Sequence, residues 1–169
     1  ATLFNKGLEA VEARWLFNIP LEKIKILQHK ESIVHSMVAF QDGSIKAQLG
    51  EPDMRLPIQI AITHPKRAAN EPSVPLDLAK HGSLNFSEVN HEMYPALQVA
   101  LEAGRREDTA MAAVAGADEA AVALFLSGKI PFTDIPKLLR YTLDNHPGTP
   151  QPTLDDSLKA EEWGRNFVA

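Results

Sequence analysis

Three prolines, Pro65, Pro72 and Pro75, fall between residues 64 and 88, where few apolar patterns are sustained. Proline fixes φ and withholds a backbone donor, and it makes a connection extended and stiff. This stretch is therefore predicted to be a linker. It divides the chain into residues 1–63, which mix helix and strand signals, and residues 89–169, which carry only helical ones. The expected fold class is α+β: a small mixed portion of helix, β-hairpin sheet and helix, joined by the proline-containing linker to an all-α four-helix bundle. A chain of 169 residues can hold one ordinary domain or two small ones with a real core.

In the first portion, Leu3, Leu8, Val11, Trp15 and Leu16 recur at helical spacing, which predicts a helix over residues 3–17, ended by Asn18 and Pro20. Residues 23–28 form a short β-branched run. Two longer runs, Ile33 to Phe40 and Ile45 to Leu49, flank Gln41-Asp42-Gly43-Ser44. Asp-Gly between such runs signals a hairpin whose two loop residues take positive φ. With Asp42 and Gly43 as that loop, Phe40 faces Ile45, Ala39 faces Lys46, Val38 faces Ala47, Met37 faces Gln48 and Ser36 faces Leu49. Facing residues share a side of the sheet. Phe40, Ile45, Val38, Ala47 and Leu49 then form the core side, and Lys46, Gln48, Met37, Ala39 and His35 the wetter one. Ser32 falls opposite His35 unless the strand bends. Asp53 is placed to cap a helix that starts near Met54, with Pro57 in its first turn.

In the last portion, Pro95 suits a first turn, and Gly104 is expected to stop the helix that follows. Asp108 or Thr109 caps an alanine-rich helix running to Leu126. Thr133 or Asp134 caps the next, which ends before His146-Pro147-Gly148, and Thr153 caps the last. The alanines of 110–123 permit close approach between helices.

Composition excludes some chemistry. The chain has no cysteine, so disulfides, thiol nucleophiles and thiolate metal sites are ruled out, and any metal must be hard and held by oxygen or imidazole. A net charge of −5 with scattered basic residues argues against nucleic acid as a partner. No apolar run approaches a membrane span, and no membrane partner is expected. Gly-rich dinucleotide fingerprints, phosphate loops and Gly-x-Ser-x-Gly elbows are missing.

Asn5, Lys6 and Glu9 are spaced to share one helix face. Early helical positions carry free amides and the positive end of the dipole, which suits an anion. Lys6 could take a phosphate, Glu9 a divalent cation and Asn5 a hydroxyl or carbonyl. By spacing alone a solvated face is the more frequent outcome, with a Lys–Glu pair worth roughly a few tenths of a kcal/mol. His29 and His35, six residues apart in a strand, are too far apart for one metal site. Pro52 and Met54 sit where strand gives way to helix, a place that often lines pockets, although an isolated Met usually fills core. Asp118 and Glu119, adjacent on a helix, point about 100° apart and form no acid–base pair.

Longer runs carry a resemblance. Ala-Thr-Leu-Phe-Asn-Lys-Gly-Leu-Glu (1–9), Glu-Ala-Arg-Trp-Leu-Phe (12–17), Ser-Ile-Val-His-Ser-Met-Val (32–38), Asp-Gly-Ser (42–44), Ala-Gln-Leu-Gly-Glu-Pro-Asp-Met-Arg-Leu-Pro-Ile (47–58) and Phe-Thr-Asp-Ile (132–135) are similar to the 1-deoxy-D-xylulose 5-phosphate reductoisomerase family. The resemblance runs from the first residue nearly to the last and matches the later part of a catalytic domain (1–63), a linker (64–88) and a C-terminal helical bundle (89–169). It implies an enzyme that converts a phosphorylated sugar with NADPH and Mg²⁺ or Mn²⁺, in non-mevalonate isoprenoid biosynthesis, as a homodimer. The setting it implies is bacterial cytoplasm, or a plastid-type organelle in a eukaryote.

Carried over by position, Asn5 and Lys6 resemble substrate contacts, and Glu9 a substrate contact and the third carboxylate ligand of the metal. His35 resembles an active-site strand histidine and Ser32 a nearby polar residue. Pro52 and Met54 resemble the patch beside the nicotinamide. The NADPH-binding N-terminal half and the family's Asp-x-Glu metal pair are absent from these residues. The alternative is that the 169 residues form a non-catalytic folding or dimerisation module. One departure stands out: Ala115-Gly116-Ala117-Asp118-Glu119 replaces the family's usual Asn-Ala-Ala-Asn-Glu, and packing or an inter-domain contact should differ there.

Overall fold

Helix α1, Phe4–Phe17, forms where the spacing predicts, and Asn18 closes it in the left-handed region at φ 50°. The computed structural model describes residues 2–69 and 74–169; Pro72 of the expected linker lies outside them. The buried face of α1 is narrow, made by Phe4, Gly7, Ala10 and Val11. The large residues at its end, Trp15, Leu16 and Phe17, are exposed.

Helix α1 packs on a helix from beyond the expected linker. The later helices are α4 (Pro95–Arg106), α5 (Ala110–Leu126), α6 (Ile135–Asn145) and α7 (Leu154–Val168). The contact between α1 and α4 is set by two glycines. A Cβ on Gly7 would stand 2.4 Å from Ala100 Cβ, and one on Gly104 would stand 2.4 Å from Val11 Cγ2. Gly104 therefore does not stop α4, as its type suggested. It is an interior contact position, and Glu107 ends the helix at φ 53°.

The expected four-helix bundle is present, and α1 joins it. Phe4, Ala100, Val114, Ala117, Ala121, Leu139 and Leu143 form one buried cluster. The α5–α7 contact is closer still: a Cβ on Gly116 would meet the Glu161 carbonyl oxygen at 2.0 Å, and one on Gly164 the Ala113 oxygen at 1.9 Å. The caps of α5 and α7 follow the sequence, whereas Asp134 stands at the N-cap of α6 without a side-chain cap bond. Asp108 Oδ1 accepts the Ala110 N–H at 2.6 Å, Pro136 lies in the first turn of α6, and Thr153 and Asp156 form a capping box for α7. Thr109 Oγ1 instead lies 2.8 Å from His146 Nε2 and accepts the Thr149 N–H at 3.0 Å. This ties the α4–α5 corner to the α6–α7 connection.

The contacts draw two compact units. One holds the chain through Ile26 together with Val89–Ala169, and the other holds Leu27–Glu88. The units meet at 88/89, and α1 groups with the bundle because its small residues interlock with α4. The stretch 64–88 is not a bare linker. It contains the one-turn helix α3 (Leu78–His81) and the strand β4 (Ser87–Glu88), which pairs antiparallel with β1 (Leu27–Gln28). The rest of the expected strand over 23–28 is shortened by a 3-10 turn at Leu21–Lys23.

The second unit also contains the hairpin β2 (Val34–Ala39) and β3 (Ile45–Leu49), followed by α2 (Arg55–Thr63). Its register is one residue away from the expected one: Ala39 faces Ile45, Val38 faces Lys46, Met37 faces Ala47 and Ser36 faces Gln48. Of the turn residues only Gly43 takes positive φ, at 86°. Gly43 N–H donates to Phe40 O at 3.0 Å and Phe40 N–H to Ser44 O at 2.9 Å. The loop thus holds three residues, a turn followed by a left-handed glycine. Asp42 accepts from the Ser44 amide at 2.8 Å and its hydroxyl at 2.6 Å, holding that longer turn. One residue of slip exchanges faces: Met37 and Ala39 share a side with Ile45 and Ala47, and Val38 lies with Lys46 and Gln48. The expected core side is not a core within these residues, since Val38 is 58% and Ile45 62% exposed. Among the described residues no helix is long and apolar enough to cross a membrane.

Candidate functional site

On α1, Phe4 and Gly7 point into the bundle and leave Asn5, Lys6 and Glu9 exposed on the opposite face. Lys6 Nζ and Glu9 form an ion pair between half-exposed side chains. The first turn carries no acidic residue. Its amides are partly used: Thr2 Oγ1 accepts the Phe4 N–H at 3.3 Å, and Leu3 O accepts from Lys6 and Gly7. The positive end of the helix dipole lies at Asn5 and Lys6. An exposed pair of this kind is worth about 0.5 kcal/mol. An anion taking Lys6 and a cation taking Glu9 could therefore part it at little expense. As a metal donor set, Glu9 fits a hard divalent ion as one oxygen ligand and no more. No group of three or more His, Asp or Glu side chains able to hold a metal occurs among the described residues.

Ser32, His35, Pro52 and Met54 all belong to the other unit. The pairing register of β2 shifts between Val34 and Ser36, at His35. The ring turns back along the hairpin, and Nε2 donates to the Gly50 carbonyl at 3.1 Å. Ser32 is exposed at φ 54°, and its amide donates to His29 O at 3.3 Å. His29 is structural: Nδ1 donates to Asn85 O at 2.8 Å, Nε2 accepts from the Ile33 amide at 3.1 Å, and the ring stacks on Phe86 at 4.5 Å. Both nitrogens are occupied, so its tautomer is fixed.

The segment after β3 presents Pro52 and Met54, both exposed, Met54 at 70%. Asp53 accepts from the Arg55 amide at 2.9 Å and from Arg55 Nε at 2.9 Å. These bonds hold the Asp53 carboxyl down at about 2, below the ordinary carboxylate range. Asp53 thus serves the first turn of α2, as its position suggested.

Two features escape sequence reading. His81, assigned to the linker, lies with Nε2 3.0 Å from Glu51 Oε1, across thirty residues of chain; neither spacing nor periodicity could signal that pair. Asp118 is half-buried with Oδ1 unpartnered. Burial pushes its carboxyl up to about 6. This is the position of the departure noted in the sequence, and Glu119 beside it instead accepts from Arg165 Nε at 2.9 Å.

Comparison with known proteins identifies the family. Residues 49–167 match the model of the DXP reductoisomerase C-terminal domain. The 1-deoxy-D-xylulose 5-phosphate reductoisomerase of Acetivibrio thermocellus is 49% identical over 168 residues, covering 99% of this chain and 44% of that protein. That of Gloeobacter violaceus is 48% identical, covering 99% and 43%. Among solved structures, the Zymomonas mobilis reductoisomerase in complex with NADPH superposes with a TM-score of 0.91 at 44% identity, covering 99% of this chain and 44% of that one. A DOX-P reductoisomerase in complex with NADPH, fosmidomycin and magnesium gives a TM-score of 0.91 at 36% identity, covering 99% and 43%. The chain thus spans less than half the length of the relatives it matches.

Proposed function

This chain belongs to the DXP reductoisomerase family, and from that premise we propose that it forms the C-terminal part of an enzyme converting 1-deoxy-D-xylulose 5-phosphate to 2-C-methyl-D-erythritol 4-phosphate. The observation that carries this reading is the exposed trio Asn5, Lys6 and Glu9 on one face of the first turns of α1. Lys6 and the positive end of α1 bind the substrate phosphate. Asn5 holds a substrate oxygen, and Glu9 is one oxygen donor to Mg²⁺ or Mn²⁺. Phosphate binding remote from the reacting bond is spent on orientation. In the free chain Lys6 and Glu9 pair with each other on this face.

When bound, the divalent ion supplies charge stabilisation at the substrate oxygens and NADPH supplies the hydride. His35 and Ser32 flank the reacting region, and Pro52 and Met54 form a wall beside the nicotinamide. The remaining metal ligands and the NADPH-binding half lie in the length of the relatives that this chain does not span. Assembly as a homodimer would place the exposed hairpin against a second copy, in a cytoplasmic setting like that of a bacterial enzyme. The other reading, a purely non-catalytic module, finds no supporting observation.

The test is Glu9→Gln in the full-length enzyme. Turnover with Mg²⁺ should fall by at least about 100-fold with the melting temperature unchanged, because a ligand charge is lost from an exposed position. Retained turnover would refute the ligand role.

A further inference from the structure

The segment Gly50–Arg55 carries no buried apolar side chain: Pro52, Met54 and Arg55 are exposed, and Glu51 and Asp53 half-buried. Hydrophobic packing of its own side chains does not hold it in place. Besides the Gly50 N–H bond to the Ile33 carbonyl at 3.0 Å, three side-chain ties do. His35 Nε2 reaches the Gly50 carbonyl at 3.1 Å, His81 Nε2 meets Glu51 Oε1 at 3.0 Å, and Arg55 Nε meets Asp53 at 2.9 Å. The first and third come from the neighbouring hairpin and from the helix that follows. Only the second comes from a distant stretch of sequence. The turn that delivers His81 is itself fixed, since Asp77 caps it through the Ala79 amide at 3.1 Å and Gly82 closes it at φ 69°. Each side chain of the pair is 30% exposed, so it lies between a surface pair and a buried one.

We propose that Glu51 and His81 are positioning residues: the hydrogen bond between them anchors the Pro52–Met54 wall and thereby sets the affinity for the nicotinamide cofactor. This rests on the proposed placement of Pro52 and Met54 beside the nicotinamide. Neither residue touches the cofactor. Their effect passes through the backbone of a loop that has no other tie to the 77–82 turn among the described residues. A wall displaced by a fraction of an ångström loses contact with a flat ring while the phosphate and metal contacts on α1 remain.

The experiment uses the full-length enzyme with Glu51→Gln, His81→Gln, the double variant and Met54→Ala. Each single clamp variant should raise KM for NADPH about fivefold, with kcat and KM for the sugar phosphate changing by less than about twofold. The double variant should be no worse than either single one, since both remove the same pair. Unchanged KM for NADPH in the clamp variants, with a raised value in Met54→Ala, would overturn the clamp and leave the wall assignment standing. Unchanged values in all four would overturn the wall assignment and the clamp with it. A lowered melting temperature without a change in KM would show a merely structural tie and likewise overturn the proposal.

Discussion

The buried face of α5 is made almost wholly of alanine and glycine, with Val114 its one larger side chain, whereas on the β2–β3 hairpin large apolar side chains face solvent. Ala113, Val114, Ala117 and Ala121 are fully buried, and Gly116 and Gly164 let two helix backbones touch. In the 27–88 unit, Ile33 is the one fully buried apolar side chain among the described residues. There the ties are polar: His29 to Asn85, Glu31 to Asn85, His81 to Glu51, and Arg55 to Asp53. The helical unit is held by close packing of small groups, which fixes geometry through exclusion. The other unit is held by hydrogen bonds and charges, which fix a few points and leave the surface between them open.

The largest effect expected from this difference lies at Gly116. Gly116→Val drives a branched side chain into the Glu161 carbonyl, a backbone atom that cannot swing aside. We expect a loss of about 3 kcal/mol or more, measured by denaturant unfolding of this chain. A loss below about 1 kcal/mol would show that α5 and α7 can separate cheaply, and the contrast between the units would fail.

Helices were legible wherever periodicity and capping agreed. Thr153 with Asp156, Asp108 before Ala110 and Pro136 in a first turn all act as their types suggest. Gly104 was misread because a glycine that ends a helix and a glycine that admits a neighbouring helix look the same in one dimension; the partner residue, Val11, is 93 positions away. The hairpin existed where Asp42-Gly43 marked it, but its register depended on whether one or two turn residues take positive φ. Asp42 settled that through its bonds to Ser44, a local choice that the dipeptide leaves open. The spacing of Asn5, Lys6 and Glu9 showed that they share a face of α1, but not that Phe4 and Gly7 form the buried side, which depends on the fit to α4. The Glu51–His81 pair was not, because it links two loops with no periodic pattern.

An intermediate effect is expected at Asp118, whose carboxyl burial raises from an ordinary value of 3.8 to about 6. A raised value means that the folded state holds the proton more tightly than the unfolded one. This contribution to stability is present below pH 3.8 and is lost as pH rises through about 6. Asp118→Asn removes the charge and should stabilise the chain at pH 7.5 by about 1 kcal/mol, discounted for the partial exposure of the group, with little change at pH 4. Burial moves His146 the other way, below the usual histidine range. Its contribution is present at neutral pH and is lost as pH falls, because the unfolded imidazole takes the proton first. Unfolding curves from pH 4 to pH 8 should therefore show the Asp118→Asn gain confined to the upper half of the range. An equal gain at both ends would locate the effect in packing instead of charge.

The smallest effect should come from the hairpin. Val38→Thr and Ile45→Thr replace side chains that are 58% and 62% exposed with another β-branched residue, which keeps strand propensity and removes little burial. Within this chain each should change stability by less than about 0.5 kcal/mol. The same substitutions in the full-length protein sharpen the comparison, since relatives are more than twice as long as this chain. A loss there of about 1–2 kcal/mol would mean that residues beyond these cover the hairpin, because hydroxyl groups would then be buried without partners. An equally small loss in both settings would mean that the hairpin is an open surface in the whole protein as well, and that polar ties alone account for its order.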